Sequence, residues 1–326
     1  MHMSMRTWLK ASIQLGIGVT ILLWLLQLAD ISKVSALILS MNLLGIALAS
    51  AFFIVASIFV ALALYVPLRQ ICDLMLPLGR VILGSFAGQL LSDITPARTG
   101  YLATPFILKK LCGIPIEVGM AGVIATGFIN SIMKAIVAGI ALVHFAGALP
   151  LPPYIVDAIL VGIAILFVAG FALIILTLER RILKAGSILG KVPLIKRSAM
   201  KIMHSLDQIQ QMGRKIGRGI HYVILLIALS LVANAIALQI IGDQLWADSL
   251  DLVDYILIAA IAGSLMYIPI TIAGLGVQET GYVILLTSLG INFEEALTFA
   301  LITRALFTGT DIIGIGPLLK LGLRMR

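Results

Sequence analysis

Apolar positions in this chain gather into long blocks separated by short polar intervals. About 20 consecutive apolar residues cross a bilayer as a helix. The blocks therefore predict membrane helices near residues 11–29, 43–66, 118–146, 155–178, 220–241, 252–268, 277–289 and 295–318. Two further apolar segments, 81–93 and 101–111, are too short to span, and together they predict a hairpin within 81–111. No alternating apolar and polar run recurs, so a transmembrane β-barrel is not expected. The predicted fold class is an all-α integral membrane protein with about eight membrane helices plus a re-entrant hairpin.

Two interruptions of the apolar pattern stand in corresponding places of the two halves. They read Thr95-Pro96-Ala97-Arg98-Thr99-Gly100 and Thr271-Ile272-Ala273-Gly274-Leu275-Gly276. Each is followed by a second shared string, Gly113-Ile114-Pro115-Ile116-Glu117 and Gly290-Ile291-Asn292-Phe293-Glu294. The separations are 176 residues for the first pair and 177 for the second. Non-helical backbone at membrane depth survives only where protein or a water-filled cavity covers it, so paired breaks predict a binding site near the midplane.

Composition agrees with the pattern. The chain is 61% hydrophobic and 12% charged, with a mean hydropathy of +1.13, whereas a soluble domain carries about 25% charged residues. The first apolar block follows Arg6 and Lys10 but precedes Asp30 and Lys33 with no small-residue cleavage pattern, so it reads as a first helix rather than a signal peptide. Cys72 and Cys112 are the two cysteines, with no metal or disulfide spacing.

The net charge of +8 is unevenly placed. Residues 179–219 hold ten Lys and Arg, from Arg180 to Arg218, against Glu179 and Asp207, while 242–254 holds four Asp and no cation. Short cytoplasmic loops collect Lys and Arg, so both termini and the linker are expected inside. The linker reads either as a topology signal alone or as an amphipathic segment that also gathers anionic head groups. With 81–111 as a hairpin, Gly113 lies inside and Gly290 outside, the arrangement of two inverted-topology repeats. The expected organisation is an N-terminal membrane half over 1–178, a basic cytoplasmic linker over 179–219, and a C-terminal membrane half over 220–326 with a broken segment at 252–289.

Ionisable groups at membrane depth cost about 2.5 to 3.5 kcal/mol each on insertion scales, so each is a functional candidate. Here they are Asp93, Arg98, Lys134, Glu279, Arg304 and Asp311. Asp93 and Arg98 flank the first break, where Pro96 lacks an N–H and biases Thr95 away from helix. The permanently charged fork of Arg98 suits a phosphate, or it merely ties off the hairpin by pairing with Asp93. In the second break Gly274 and Gly276 permit positive φ, and a helix starting near Val277 would present amides that attract anions. Glu279 is either the cap of that helix or a site residue, and Arg304 is its expected partner. Arg304 and Asp311 are seven residues apart, two turns along one helix face, and the repeat spacing sets Asp311 opposite Lys134.

The motifs Pro96-Ala97-Arg98-Thr99-Gly100 with Gly113-Ile114-Pro115, and Gly274-Leu275-Gly276-Val277-Gln278-Glu279 with Leu289-Gly290-Ile291 and Arg304, resemble the transmembrane domain shared by lysylphosphatidylglycerol synthase and flippase proteins. The resemblance runs over nearly the whole chain. The family usually enters the second motif through Pro-Gly-Gly, where this chain has Ile272-Ala273-Gly274, and it commonly follows the first with an acid, where this chain has Tyr101. An acidic and basic pair of the next helix is missing around Thr126 to Asn130. The family's aminoacyl-transferase domain has no counterpart in this sequence. The resemblance implies lipid translocation between leaflets.

The expectation is a polar-lipid flippase in the cell membrane of a prokaryote, acting on lipids with anionic or phosphate head groups. Its substrate-binding candidates are Asp93, Pro96, Arg98, Gly100, Tyr101, Lys134, Gly274, Gly276, Glu279, Arg304 and Asp311. No P-loop, zinc pattern or nucleophile elbow is present, so neither a catalytic residue, a cofactor, a metal nor nucleic acid is expected, and a homo-oligomer stays open. The alternatives are a membrane enzyme acting on a lipid phosphate, a coupled solute transporter in which Glu279 or Asp311 titrates, and a structural membrane subunit.

Overall fold

The computed structural model describes residues 5–72, 76–96, 98–146, 153–178, 207, 211, 219–246 and 250–323. Almost all of these residues are helical. The N-terminal half holds α1 (Met5–Leu28), α2 (Ile31–Ser40), α3 (Leu43–Ile71), α4 (Leu78–Asp93), a 3-10 turn (Thr99–Ala103), α5 (Thr104–Cys112), α6 (Ile116–Ala146) and α7 (Pro153–Leu178). The C-terminal half holds α8 (Ile220–Gly242), α9 (Leu252–Leu265), α10 (Val277–Ser288), α11 (Phe293–Asp311), a 3-10 turn (Ile312–Gly314) and α12 (Ile315–Leu323). The basic linker at 179–219 lies outside the described residues except for Asp207, Gln211 and Gly219.

The protein is an all-α membrane protein. Leu9–Leu28, Leu43–Ile71, Ile116–Phe145, Ile220–Gly242 and Phe293–Lys320 are long and apolar enough to cross a bilayer. Their outward faces carry Trp24, Leu44, Val143, Leu225 and Leu319, all exposed, which acyl chains would cover. The blocks expected to span at 252–268 and 277–289 form helices of 14 and 12 residues, each well under the length that spans alone.

Polar residues at the ends of the apolar blocks start the helices. Asn42 accepts the Leu44 amide at 2.9 Å, and Asp251 and Asp254 accept each other's amides at 2.9 and 3.1 Å, so the first N–H groups of α3 and α9 are not orphaned. The core centres on Phe299 of α11, whose ring lies 5.3, 6.3 and 5.4 Å from those of Trp246, Tyr255 and Tyr282.

Corresponding elements of the two halves keep the spacing of the sequence. Helix α3 starts at Leu43 and α8 at Ile220, while α6 starts at Ile116 and α11 at Phe293, and both separations are 177 positions. Gly113 and Gly290 are left-handed, at φ 72° and 91°. Helices α3 and α8 pack side by side and antiparallel. At one end the Asn42 amide donates to Gln244 Oε1 at 2.9 Å, and at the other Gly219 lies against Gln70 and Val66.

Helices α4 and α5 fold back on each other through the first break. A Cβ on Gly84 would meet the Leu108 side chain at 2.7 Å, one on Gly88 the Thr104 hydroxyl at 2.0 Å, and one on Gly100 the Leu91 carbonyl oxygen at 2.2 Å. These glycines therefore set how closely the two arms approach. The first arm begins at Leu78, so the hairpin starts a few residues before the expected 81.

Candidate functional site

The two breaks meet at the centre of the molecule. Pro96 and Ile272 form an isolated antiparallel bridge, and the Ala273 amide donates to the Thr95 carbonyl at 3.2 Å. Unwound backbone at this depth must find partners inside the protein, and here part of each break finds them on the other. Among the described residues, Arg98 (φ 56°) and Ala273 (φ 46°) are the non-glycine residues with left-handed backbone. One lies in each break. Such conformations cost about 1–3 kcal/mol and gather at ligand clamps and switch regions.

Short-range hydrogen bonds shape the first break. Pro96 cannot donate, α4 ends at Asp93, and Thr95 Oγ1 accepts the Gly100 amide at 2.7 Å. Ser92 Oγ donates to the Arg98 carbonyl at 3.1 Å. Arg98 is thereby turned inward. Its Nη2 lies 3.0 Å from Asp93 Oδ1, with 12% of the Arg98 side chain and 2% of the Asp93 side chain exposed. Its guanidinium stands 5.2 Å from the Phe307 ring centroid, within cation–π range.

The second break is organised by Arg304 of α11. Its Nε donates to Glu279 Oε1, Nη1 to the Ala273 carbonyl at 3.2 Å and Nη2 to the Gly274 carbonyl at 3.2 Å. A planar fork can serve these divergent acceptors together. Glu279 Oε2 in turn accepts the Gly276 amide at 2.7 Å, so Glu279 caps α10 and is buried. Gly274 at φ 70° and Gly276 at φ 81° supply the backbone that this path requires. Helix α1 covers the break from outside, with Gln14 Nε2 donating to the Pro269 carbonyl at 2.9 Å and Gly18 against Leu275.

A largely apolar cavity with cationic groups in its wall opens between these groups. Arg98, Lys134 and Arg304 line it, with Asn234, Gln278, Tyr282, Met266, Phe53 and Phe307 among the other walls. Among the described residues, no carboxylate lines it. Asp93 and Glu279 stand behind their arginines, turned away from the space. Lys134 Nζ stands 5.8 Å from the Tyr267 ring centroid and has no carboxylate in ion-pair range among the described residues. The cavity is therefore cationic, with an aromatic and thioether wall.

The structure thus gathers Arg98, Lys134 and Arg304 at one space, with Asp93, Glu279, Gly274 and Gly276 supporting them. Pro96 is in the bridge. Gly100 is a packing contact against α4, and Tyr101 packs against Gly88 of α4 rather than lining the cavity. Asp311 is fully buried and faces Asp93 and Ser57, away from the Arg304 end of its helix. The Gly276 amide, at the helix start expected to draw an anion, is held by Glu279, and the Gly100 amide by Thr95. Phe53, Met266 and Phe307 escape sequence reasoning, because an apolar residue in an apolar helix carries no contrast. Phe307 had one available signal, its place three residues after Arg304 on the same face.

A family model described as lysylphosphatidylglycerol synthase TM region matches residues 12–312. No individual curated protein matches the chain.

Proposed function

The chain belongs to the lysylphosphatidylglycerol synthase transmembrane-region family, whose work concerns membrane lipids, and from that premise we propose that it moves a polar lipid with an anionic head group between leaflets. The observation that carries this reading is the cavity lined by Arg98, Lys134 and Arg304 and, among the described residues, by no carboxylate. A phosphate-bearing head group entering it would replace solvation by the Lys134 ammonium and the Arg98 guanidinium, with the charge of Arg304 behind them. Its acyl chains could stay in the bilayer, so that only the head group pays for desolvation.

The two breaks supply a means of alternating exposure. We read the halves as inverted repeats. Antiparallel packing of the corresponding helices α3 and α8, and the bridge between Pro96 and Ile272, residues 176 positions apart, are what a pseudo-two-fold axis in the membrane plane would produce. Rocking one half against the other about that bridge would open the cavity to either leaflet in turn. On this reading 81–111 is a re-entrant hairpin and 252–289 its counterpart.

The test is leaflet exchange of fluorescent anionic, zwitterionic and cationic lipids in liposomes holding the purified protein. Exchange above empty liposomes, fastest for anionic lipids and reduced at least tenfold in Arg98→Ala with the fold retained, is expected. Equal exchange in Arg98→Ala would remove the cavity assignment, and no exchange in the wild type would remove the flippase.

A further inference from the structure

Behind the cavity lies a second polar cluster that the lipid site does not use. Asp311 closes α11 and is 0% exposed, and neither of its carboxylate oxygens has a hydrogen-bond partner. Asp93, at the end of α4, faces it. Asp93 touches Arg98 Nη2 at 3.0 Å as an ion pair, yet no hydrogen bond reaches either of its oxygens. Four buried carboxylate oxygens thus meet, with the Arg98 guanidinium and the Ser57 hydroxyl beside them.

The charges do not balance either. Two carboxylates face one cation, Arg98. From α3 the cluster receives the Ser57 hydroxyl, and from α4 Gln89, whose Oε1 lies 3.4 Å from Ser57 Oγ. The other charged groups nearby are engaged elsewhere. Lys134 of α6 faces the Tyr267 ring on the cavity side, and Arg304, two turns back on α11, is held by Glu279 and two carbonyls. The cluster lacks one positive charge.

We propose that the Asp93 and Asp311 carboxylates form a binding site for one proton. A proton on either carboxylate removes the surplus negative charge and turns that group into an O–H donor to the other. A metal cation fits less well, since it requires several oxygen ligands around it and no group of three acidic, His or Cys side chains suited to a metal occurs among the described residues. Ser85, Gln89 and Asp93 repeat every four residues along one face of α4, so the site continues a buried polar stripe.

Arg98 joins this site to the cavity, because it pairs with Asp93 and lines the space for the head group. Proton uptake neutralises negative charge behind Arg98 and leaves its guanidinium freer for an anion. Proton and anionic ligand therefore bind with positive coupling, and each raises the affinity of the other. This last link rests on the flippase reading, whereas the proton site itself does not.

Infrared difference spectroscopy of the full chain in lipid nanodiscs, titrated from acidic to alkaline pH, reads the site directly. The wild type should show the C=O band of a buried protonated carboxyl that shifts in heavy water. Either Asp311→Asn or Asp93→Asn leaves one carboxylate against Arg98, so each alone should abolish the band. If one variant fails to fold, the other still decides. A band that survives in a folded single variant, or its absence from the wild type at every pH, would overturn the proposal, as would sodium-dependent stabilisation without a band. In liposomes, anionic-lipid exchange should rise as pH falls in the wild type and lose that dependence in Asp311→Asn. A band with no lipid exchange would sink the flippase and keep the proton site, and exchange with no band would do the reverse.

Discussion

Arg304 shows how much one side chain settles. It neutralises a buried carboxylate and donates to two carbonyls of the break, Ala273 and Gly274, the second of which also accepts the Gln278 amide. Arg304→Lys keeps the charge but offers a point donor in place of a fork. A lysine held by Glu279 leaves the Ala273 carbonyl unpaired, whereas Gly274 keeps the Gln278 amide, and a loss of about 1–3 kcal/mol is expected. Arg304→Ala strands Glu279, which is 1% exposed, and should cost about 3–5 kcal/mol. Thermal unfolding in detergent with Glu279→Gln as background tests this, since the alanine variant should lose much of its penalty once the carboxylate is neutral. The charged members of the site were legible in the sequence because charge in an apolar block is rare and costly. The place of Asp311 was not. Seven residues put it on the Arg304 face, but they also put it roughly 10 Å further along the axis, far enough to meet the first break instead of the second.

At the scale of elements, the breaks work by backbone proximity. A Cβ on Gly100 would stand 2.2 Å from the Leu91 carbonyl oxygen, which belongs to the helix backbone and cannot rotate away. Gly100→Ala should therefore push the 3-10 turn off α4 and lower the yield of folded protein severalfold in detergent gel filtration. Gly139→Ala in α6, where nothing lies within 4 Å, should be neutral or stabilising by up to about 1 kcal/mol. Equal behaviour of the two would show that the arms of the hairpin tolerate separation. The hairpin was legible from Pro96, the glycines and the short apolar runs around them. The second break was harder to read, since 252–268 and 277–289 look like two spans by hydropathy alone and become two short helices because Pro269, Gly274 and Gly276 stand between them. Which turn donors would be free was not legible, since that depends on side chains such as Thr95 folding back on their own loop.

For the whole molecule, the repeat reading makes a prediction about sidedness. Pro115 and Asn292 are exposed loop positions 177 residues apart, each just before a long helix. With Cys72 and Cys112 replaced, Pro115→Cys and Asn292→Cys should react with a membrane-impermeant thiol reagent from opposite sides of intact cells or oriented vesicles. Labelling from the same side would end the inverted-repeat reading. The spacing behind it was visible in two short strings, whereas α1, α2 and α7 have no counterpart at that spacing among the described residues and their placement had to come from packing. The bridge between Pro96 and Ile272 also has a consequence for how the chain is made. Its two residues leave the ribosome 176 positions apart, an interval of roughly ten seconds or more at about 5–20 residues per second. Through that interval the Thr95 carbonyl lacks the Ala273 amide that it accepts in the finished protein. The first half thus enters the membrane as an incomplete part, held open until the second is delivered, and the order of synthesis becomes part of the order of assembly.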